Sequence, residues 1–238
     1  MKKIIRNLIP EEYRKRISDI KNIYFNGFSI KSYSQEGEDI ILKRIFETQQ
    51  KGFYIDVGAH HPMRFSNTYL FYKQGWKGIN IDAMPGSMIL FNKIRSKDIN
   101  LERAVSNKKT ALTYYMFNDS ALNGFSEKLS IQRDGLMEYK IISTKKIDTY
   151  TLEEILDEYL PDNQPIDFLS VDVEGFDAEV LKSNNWAKYI PKVVLVESLT
   201  SDLENMQHNE VYNFLNERGY RLYSKTVNTL IFRLKHGN

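Results

Sequence analysis

Phe53-Tyr54-Ile55-Asp56-Val57-Gly58-Ala59, answered one strand–helix–strand unit later by Gly78-Ile79-Asn80-Ile81-Asp82, is the stretch whose reading decides the fold. The run Phe53-Tyr54-Ile55 reads as a buried strand that stops at a carboxylate and a glycine. The second run stops at another carboxylate, at a spacing that suits a single βαβ unit. In an open parallel sheet, ligands bind outside the carboxyl ends of the strands. A glycine there lets the backbone approach a ligand closely, and an acid ending the second strand can take both hydroxyls of an adenosine ribose. Asp56 and Asp82 are therefore expected to face a nucleoside-containing cofactor, which predicts an enzyme.

Outward from that unit, strands and helices alternate. Before it, Ile40, Ile41, Leu42, Ile45 and Phe46 fall at helical spacing after Ser34-Gln35-Glu36-Gly37-Glu38-Asp39. Between the two strands, Ser66 or Asn67 can cap a helix carrying Tyr69, Leu70 and Tyr72, ended by Gly75. Pro85 suits the first turn of a helix with Met88, Ile89 and Phe91. Ile99 to Val105 is expected as a third strand. Ala111 to Phe117 and Lys140 to Ser143 read as added strands, separated by a polar loop around Asn118 to Gly135. Thr151-Leu152-Glu153-Glu154 is a capping box opening a helix to Tyr159. A fourth strand, Ile166 to Val171, runs into Asp172-Val173-Glu174-Gly175. After a helix through Ala178 to Lys182, a fifth, Val193 to Val196, ends at Glu197. A helix with Val211, Phe214 and Leu215 stops at Gly219, and Tyr220 to Ser224 and Thr229 to Leu234 close the chain around Val227-Asn228. The alternation predicts an α/β fold, a mostly parallel seven-stranded sheet with helices on both faces.

Composition narrows the class. A chain of 238 residues can bury a real core, and 42% hydrophobic residues is ordinary for a soluble globular domain. With no cysteine there is no disulfide scaffold, thiolate catalysis or cysteine-ligated metal. A net charge of +2 argues against a dedicated nucleic-acid binder. Met1-Lys2-Lys3-Ile4-Ile5-Arg6 starts like a signal peptide, but Glu11-Glu12 and Arg14-Lys15-Arg16 leave no apolar core for one. No run reaches the roughly 20 apolar residues of a membrane span, so the expected location is cytoplasmic. Residues 1–32 are expected as a helical arm and residues 33–238 as the catalytic domain. Within the arm, Ile4 to Phe28 form a basic amphipathic pattern, read as a packing or oligomerisation arm, with contact to a membrane surface as the alternative.

At these residues the chain resembles the FkbM family of S-adenosylmethionine-dependent methyltransferases, over roughly Tyr33 to Phe232. The resemblance rests on an ordered set: Ser34-Gln35-x-Gly37-Glu38-Asp39, Asp56-Val57-Gly58-Ala59, Ser66-Asn67-Thr68-Tyr69, Gly75-Trp76-x-Gly78-x-Asn80-Ile81-Asp82, Ala104-Val105-Ser106 and Asp172-Val173-Glu174-Gly175. It implies a class I methyltransferase (Rossmann-like) fold, S-adenosylmethionine as cofactor, and a hydroxyl of a sugar, in nucleotide-linked form for surface polysaccharide synthesis, as acceptor. A nicotinamide-dependent sugar oxidoreductase is the rival, but it would want three glycines after the first strand for the pyrophosphate. Gly58 is the only glycine between Asp56 and Gly75, a loss harmless for S-adenosylmethionine. A non-catalytic nucleoside-binding protein is the third reading, and the acids at the strand ends speak against it.

The resemblance implies that Asp56, Gly58 and Ala59 line the methionine end of the cofactor, that Asp82 binds the ribose, and that Ala104 and Ser106 lie beside the adenine. The family's acid-then-proline pattern fits Asp82-Ala83-Met84-Pro85. Gln35 can reach the cofactor carboxylate or cap the following helix. His60-His61-Pro62 sits at the pocket mouth, where an imidazole near its pKa suits removal of a hydroxyl proton; His61 is the expected catalytic ring, against the plainer reading of a solvated histidine pair. Asp172 and Glu174 are candidate proton acceptors, hydroxyl-positioning groups or metal ligands, against the plainer reading of an acidic helix start. Tyr114, Tyr115 and Asn123 are candidates for an acceptor wall, with ordinary core as the alternative. The boldest expectation is a divalent metal held by His61, Asp172, Glu197 and His208; the alternatives are that His60 is the relevant ring, that Glu197 only receives a backbone amide, or that the site needs no metal and His61 or Asp172 is a plain general base.

Overall fold

The computed structural model describes residues 10–25, 27–199 and 202–235, and the chain divides into two compact units, residues 1–32 and 33–238. In the smaller unit helix α1 spans Glu11–Tyr24, with Glu11 and Glu12 in its first turn and Lys21 in its last, complementing the helix dipole. None of its side chains is buried. Residues 4–9 and Asn26 of the expected arm helix, and the leader-like start at Met1–Arg6, lie outside the described residues.

The larger unit is a seven-stranded sheet in the order β3-β2-β1-β7-β8-β10-β9. Its strands are β1 (Phe53–Val57), β2 (Lys77–Asp82), β3 (Ile99–Glu102), β7 (Phe168–Val171), β8 (Val193–Glu197), β9 (Tyr220–Lys225) and β10 (Thr229–Leu234). Within it β3, β2, β1, β7 and β8 pair in parallel, and β10 enters antiparallel between β8 and β9. The chain order reverses between β1 and β7, the switch point where such sheets bind ligands.

Alternation within each strand serves two apolar layers. Ile55, Val57, Ile79, Ile81, Leu169 and Val171 pack against α6 (Leu152–Tyr159), α7 (Asp177–Lys182) and α8 (Glu210–Glu217). Tyr54, Phe168 and Leu195 face the other way, toward Leu42 of α2 (Glu38–Ile45), Phe71 of α3 (Tyr69–Lys73) and Trp76. Helices therefore cover both faces, and α4 (Ser87–Ile94) adds Met88 and Phe91, packed with Ala59. The capping box at Thr151 is present as expected, with its side chain and that of Glu154 each bonding the other's backbone N–H.

Three elements depart from the sequence reading. The expected strand from Ile99 to Val105 breaks at Arg103, whose N–H donates to the carbonyl of Asp82, and Ala104–Val105 becomes a separate strand, β4. β4 pairs with β6 (Ile141–Tyr150), which pairs with β5 (Ala111–Phe117) in a second, three-stranded sheet. β6 is far longer than Lys140 to Ser143: it runs through Thr144-Lys145-Lys146, mostly exposed residues with no apolar pattern to announce a strand. The loop from Asn118 to Gly135 holds a 3₁₀ turn, Ser120–Leu122, and helix α5 (Glu127–Arg133), each capped by the side chain just before it, Asp119 and Ser126.

Candidate functional site

A cleft of about 370 Å³ opens along the carboxyl ends of β2, β1, β7 and β8, roofed by residues 119–125 of the segment after β5. Its floor is the Gly58 turn. Gly58 has φ +81°, and a Cβ there would stand 1.7 Å from the carbonyl oxygen of Asp172. Only glycine lets the two strand ends meet so closely. The N–H groups of Gly58 and Ala59 both reach the carbonyl of Ile81, and that of Asp172 reaches the carbonyl of Val57. Three non-glycine residues lining the cleft, His60, Phe65 and Glu174, hold left-handed backbone, strain of the kind that collects at working sites.

Asp82 lies in the wall, only 7% exposed. Its Oδ2 accepts from the His60 N–H and its Oδ1 from the Met84 N–H, each at 2.8 Å. A carboxylate oxygen keeps a second lone pair, so both remain able to accept from hydroxyls. Burial pushes the Asp82 carboxyl up to about 6, against those two hydrogen bonds. The Tyr114 hydroxyl, buried on β5 beside Asp82, is also raised, first by burial and then by that carboxylate.

At the other end stands a cluster of acids. Asp172 follows β7, Glu197 ends β8, and Glu174 follows in the loop; one ligand atom from each lies within 4.8 Å of the others. The Arg133 Nη1 of α5 donates to Glu174 Oε2 at 2.6 Å. The loop is held by Asp177, which accepts from the N–H groups of Val173 and Gly175 at 3.1 Å each. Burial raises Asp172 well above the usual carboxylate range, and Glu174 and Asp177 add to that. Burial and then Asp172 push Glu197 up to about 11, and burial holds Asp177 near 7. Glu197 Oε2 is buried with no hydrogen-bond partner among the described residues. Carboxyls this close cannot all be ionised without a counter-charge, so a proton or a cation belongs among them.

Gln35, Gly58, Asp82, Asp172, Glu174 and Glu197 thus line one cleft. Gln35 enters it from a segment clasped to the β9–β10 turn, where Glu36 accepts from the N–H and the side-chain amide of Asn228, and Glu38 from Thr226. The helix after it starts on Gly37, without a side-chain cap.

Other expected residues lie elsewhere. Asp56 turns its carboxylate under the sheet to the Thr68 hydroxyl at 2.7 Å, in a buried network with Arg95. Arg95 in turn donates to Thr68, the Tyr54 hydroxyl and Asp98. Ser66-Asn67-Thr68-Tyr69 supplies this network rather than the cleft wall. Ala59, Ala104 and Ser106 are buried outside the lining, and Arg103 and Val105 form the wall instead. Alternation explains the offset: neighbours in an extended chain point to opposite sides.

The structure does not bring the expected histidine ligands together with the acids. His61 does not line the cleft; its Nδ1 accepts from the N–H groups of Met63 and Arg64, and burial followed by Arg64 lowers its pKa. His208 sits exposed in a 3₁₀ turn, Met206–His208. Asp172 and Glu197 come together with Glu174, not with either imidazole. His60 is the ring that lines the cleft, and burial then Arg64 lower its pKa. Of the acceptor-wall candidates, Tyr114 and Asn123 line the cleft and Tyr115 does not. Sequence reasoning missed Arg133, one arginine in a polar stretch with no signal to single it out. It also missed Asp177, where an acid two residues past the glycine was a usable hint of a loop acceptor.

The family model described as "Methyltransferase FkbM domain" matches residues 56–222, more than two thirds of the chain. Among solved structures, a TehB-like SAM-dependent methyltransferase from Corynebacterium glutamicum is similar at 11% identity, over 94% of this chain and 97% of that one, with a TM-score of 0.41. No curated protein matches.

Proposed function

Because the chain belongs to the FkbM methyltransferase family, an S-adenosylmethionine-dependent class of enzyme, we propose that it methylates a hydroxyl of a sugar, presented as a nucleotide-linked sugar for surface polysaccharide synthesis. The bound cofactor supplies an electrophilic methyl on a sulfonium. Asp82 would hold its ribose, Arg103 and Val105 would flank the adenine, and Gln35 with the Gly58 turn would receive the methionine end.

The observation that carries the acceptor reading is the carboxylate cluster at the far end of the cleft. A hydroxyl is a poor nucleophile until its proton has somewhere to go. Burial and mutual repulsion raise both Asp172 and Glu197, so a carboxylate of this pair would hold a hydroxyl's proton strongly. Arg133 holds Glu174 in place and offsets part of the burial that raises its carboxyl, which leaves Glu174 set to position a second hydroxyl. His60, at the same mouth with a lowered pKa, is neutral at pH 7 and can accept a hydrogen bond. Incubation with labelled S-adenosylmethionine and a panel of nucleoside-diphosphate sugars should place label on a sugar hydroxyl. Transfer only to protein, lipid or nucleic acid would sink the sugar assignment and leave the methyltransferase standing.

A second reading is favoured by Glu197 Oε2, which has no hydrogen-bond partner among the described residues: Asp172, Glu174 and Glu197 hold a divalent cation that lowers the pKa of the acceptor hydroxyl. An all-oxygen set suits Mg²⁺ or Mn²⁺. Elemental analysis of untagged enzyme and assay after chelation test it, and full activity in metal-free protein would discard the metal.

A further inference from the structure

We propose that the N-terminal arm docks on an anionic lipid surface, through a stripe that the methyltransferase chemistry does not use. Tyr13, Ile17, Ile20 and Tyr24 recur on α1 at intervals of four, three and four residues, which aligns them along one line of the helix. All four are exposed, and Phe25, Phe28 and Ile30 beyond the helix are exposed as well. At 100° per residue, Arg16 flanks the stripe on one side, and Arg14 and Lys21 flank it on the other. Glu11, Lys15, Ser18 and Asn22 fall on the opposite face. An apolar line bordered by long cationic side chains suits the boundary between acyl chains and headgroups, where stems lie along the apolar layer and charges reach outward.

Charge decides which occupant the stripe suits. Residues 1–32 hold eight lysines and arginines against three acids, whereas the whole chain is only +2, so the remainder is net acidic. Paired with a second copy, the stripes would bring their flanking cations together. An anionic bilayer meets both the apolar line and its basic border. A 14-residue helix is also marginal in water without something to cover its apolar face.

The test is co-sedimentation of the full chain with vesicles of phosphatidylcholine alone, or of phosphatidylcholine mixed with phosphatidylglycerol. The chain should pellet with the mixed vesicles only, less so at high salt. Replacing Arg14, Arg16 and Lys21 by Ser should lower the partition coefficient about fivefold for each cation removed, roughly a hundredfold in all. The pair Ile17→Ser and Ile20→Ser should lower it at least about tenfold. Unchanged binding of S-adenosylhomocysteine in every variant shows that the catalytic unit is intact. Equal pelleting with both vesicle types, or none with either, overturns the proposal. So does a lipid-independent dimer that the isoleucine variant abolishes, since a second copy would then be the occupant.

Discussion

Asp82→Asn is the sharpest probe of the cofactor site. Alanine would remove more than a ribose ligand, because the carboxylate also accepts the N–H groups of His60 and Met84. Leaving two part-buried donors unsatisfied costs up to about 1–3 kcal/mol each, enough to weaken a marginal fold and mimic a binding defect. Asparagine keeps the shape and one acceptor oxygen, so that only one of those two N–H groups loses its acceptor. It gives up the charge, and a hydrogen bond to a charged group contributes about 1.5–3 kcal/mol. The affinity for S-adenosylhomocysteine should therefore fall about tenfold to a hundredfold, measured by calorimetry at pH 7.5. The wild type carries a second signature. Its Asp82 titrates near 6 when folded, above the unfolded value of about 3.9. The raised value means that ionisation works against the fold: stability is greatest below the unfolded pKa and declines as pH rises from about 4 to 6. Binding runs the other way, because only the ionised form accepts two hydroxyls. Affinity should be flat above pH 7 and weaken by up to about tenfold per pH unit below 6. The asparagine variant should lack that step. Equal affinity in the folded variant, with the step intact, would remove Asp82 from the cofactor site.

Gly58→Ala should abolish cofactor binding and lower the melting temperature, because its Cβ has no room beside the Asp172 carbonyl at a φ that already disfavours alanine; a variant with normal affinity would refute the close-packed floor. Arg133→Gln should leave binding of S-adenosylhomocysteine unchanged while lowering kcat, since Glu174 then loses its charge partner at the acceptor end, and calorimetry beside steady-state rates separates the two effects. Arg95→Met should cost roughly 3–5 kcal/mol by stranding Asp98 and the Tyr54 and Thr68 hydroxyls in a buried network, which thermal unfolding would register as a shift on the order of 10 °C.

The parallel core was legible because its signals are local. Runs such as Phe53–Val57 and Val193–Val196 are continuously buried, and the turn and cap residues that bound them act within a few positions. The positions of Asp82 and Asp172 at the carboxyl ends of parallel strands were legible on the same reasoning, because that edge of the sheet is where the cleft opens. The second sheet was less legible. β6 is held by hydrogen bonds to β4 and β5 rather than by a buried side-chain face, so no pattern in Thr144-Lys145-Lys146 marks it.

What the amino-acid order determined unaided is the parallel core of the sheet, the helices between its strands with the capping box at Thr151, the family motifs and the acids at the strand ends, because periodicity, caps and glycines act through neighbours in the chain. Only the tertiary structure decided which side each strand-end residue faces. It turned Asp56 under the sheet to Thr68 and Arg95, set Val105 rather than Ala104 or Ser106 in the wall, and joined Glu174 instead of His61 or His208 to Asp172 and Glu197. Those choices depend on one-residue register and on loops meeting from distant parts of the chain, and a single residue's step along a strand reverses the direction of a side chain.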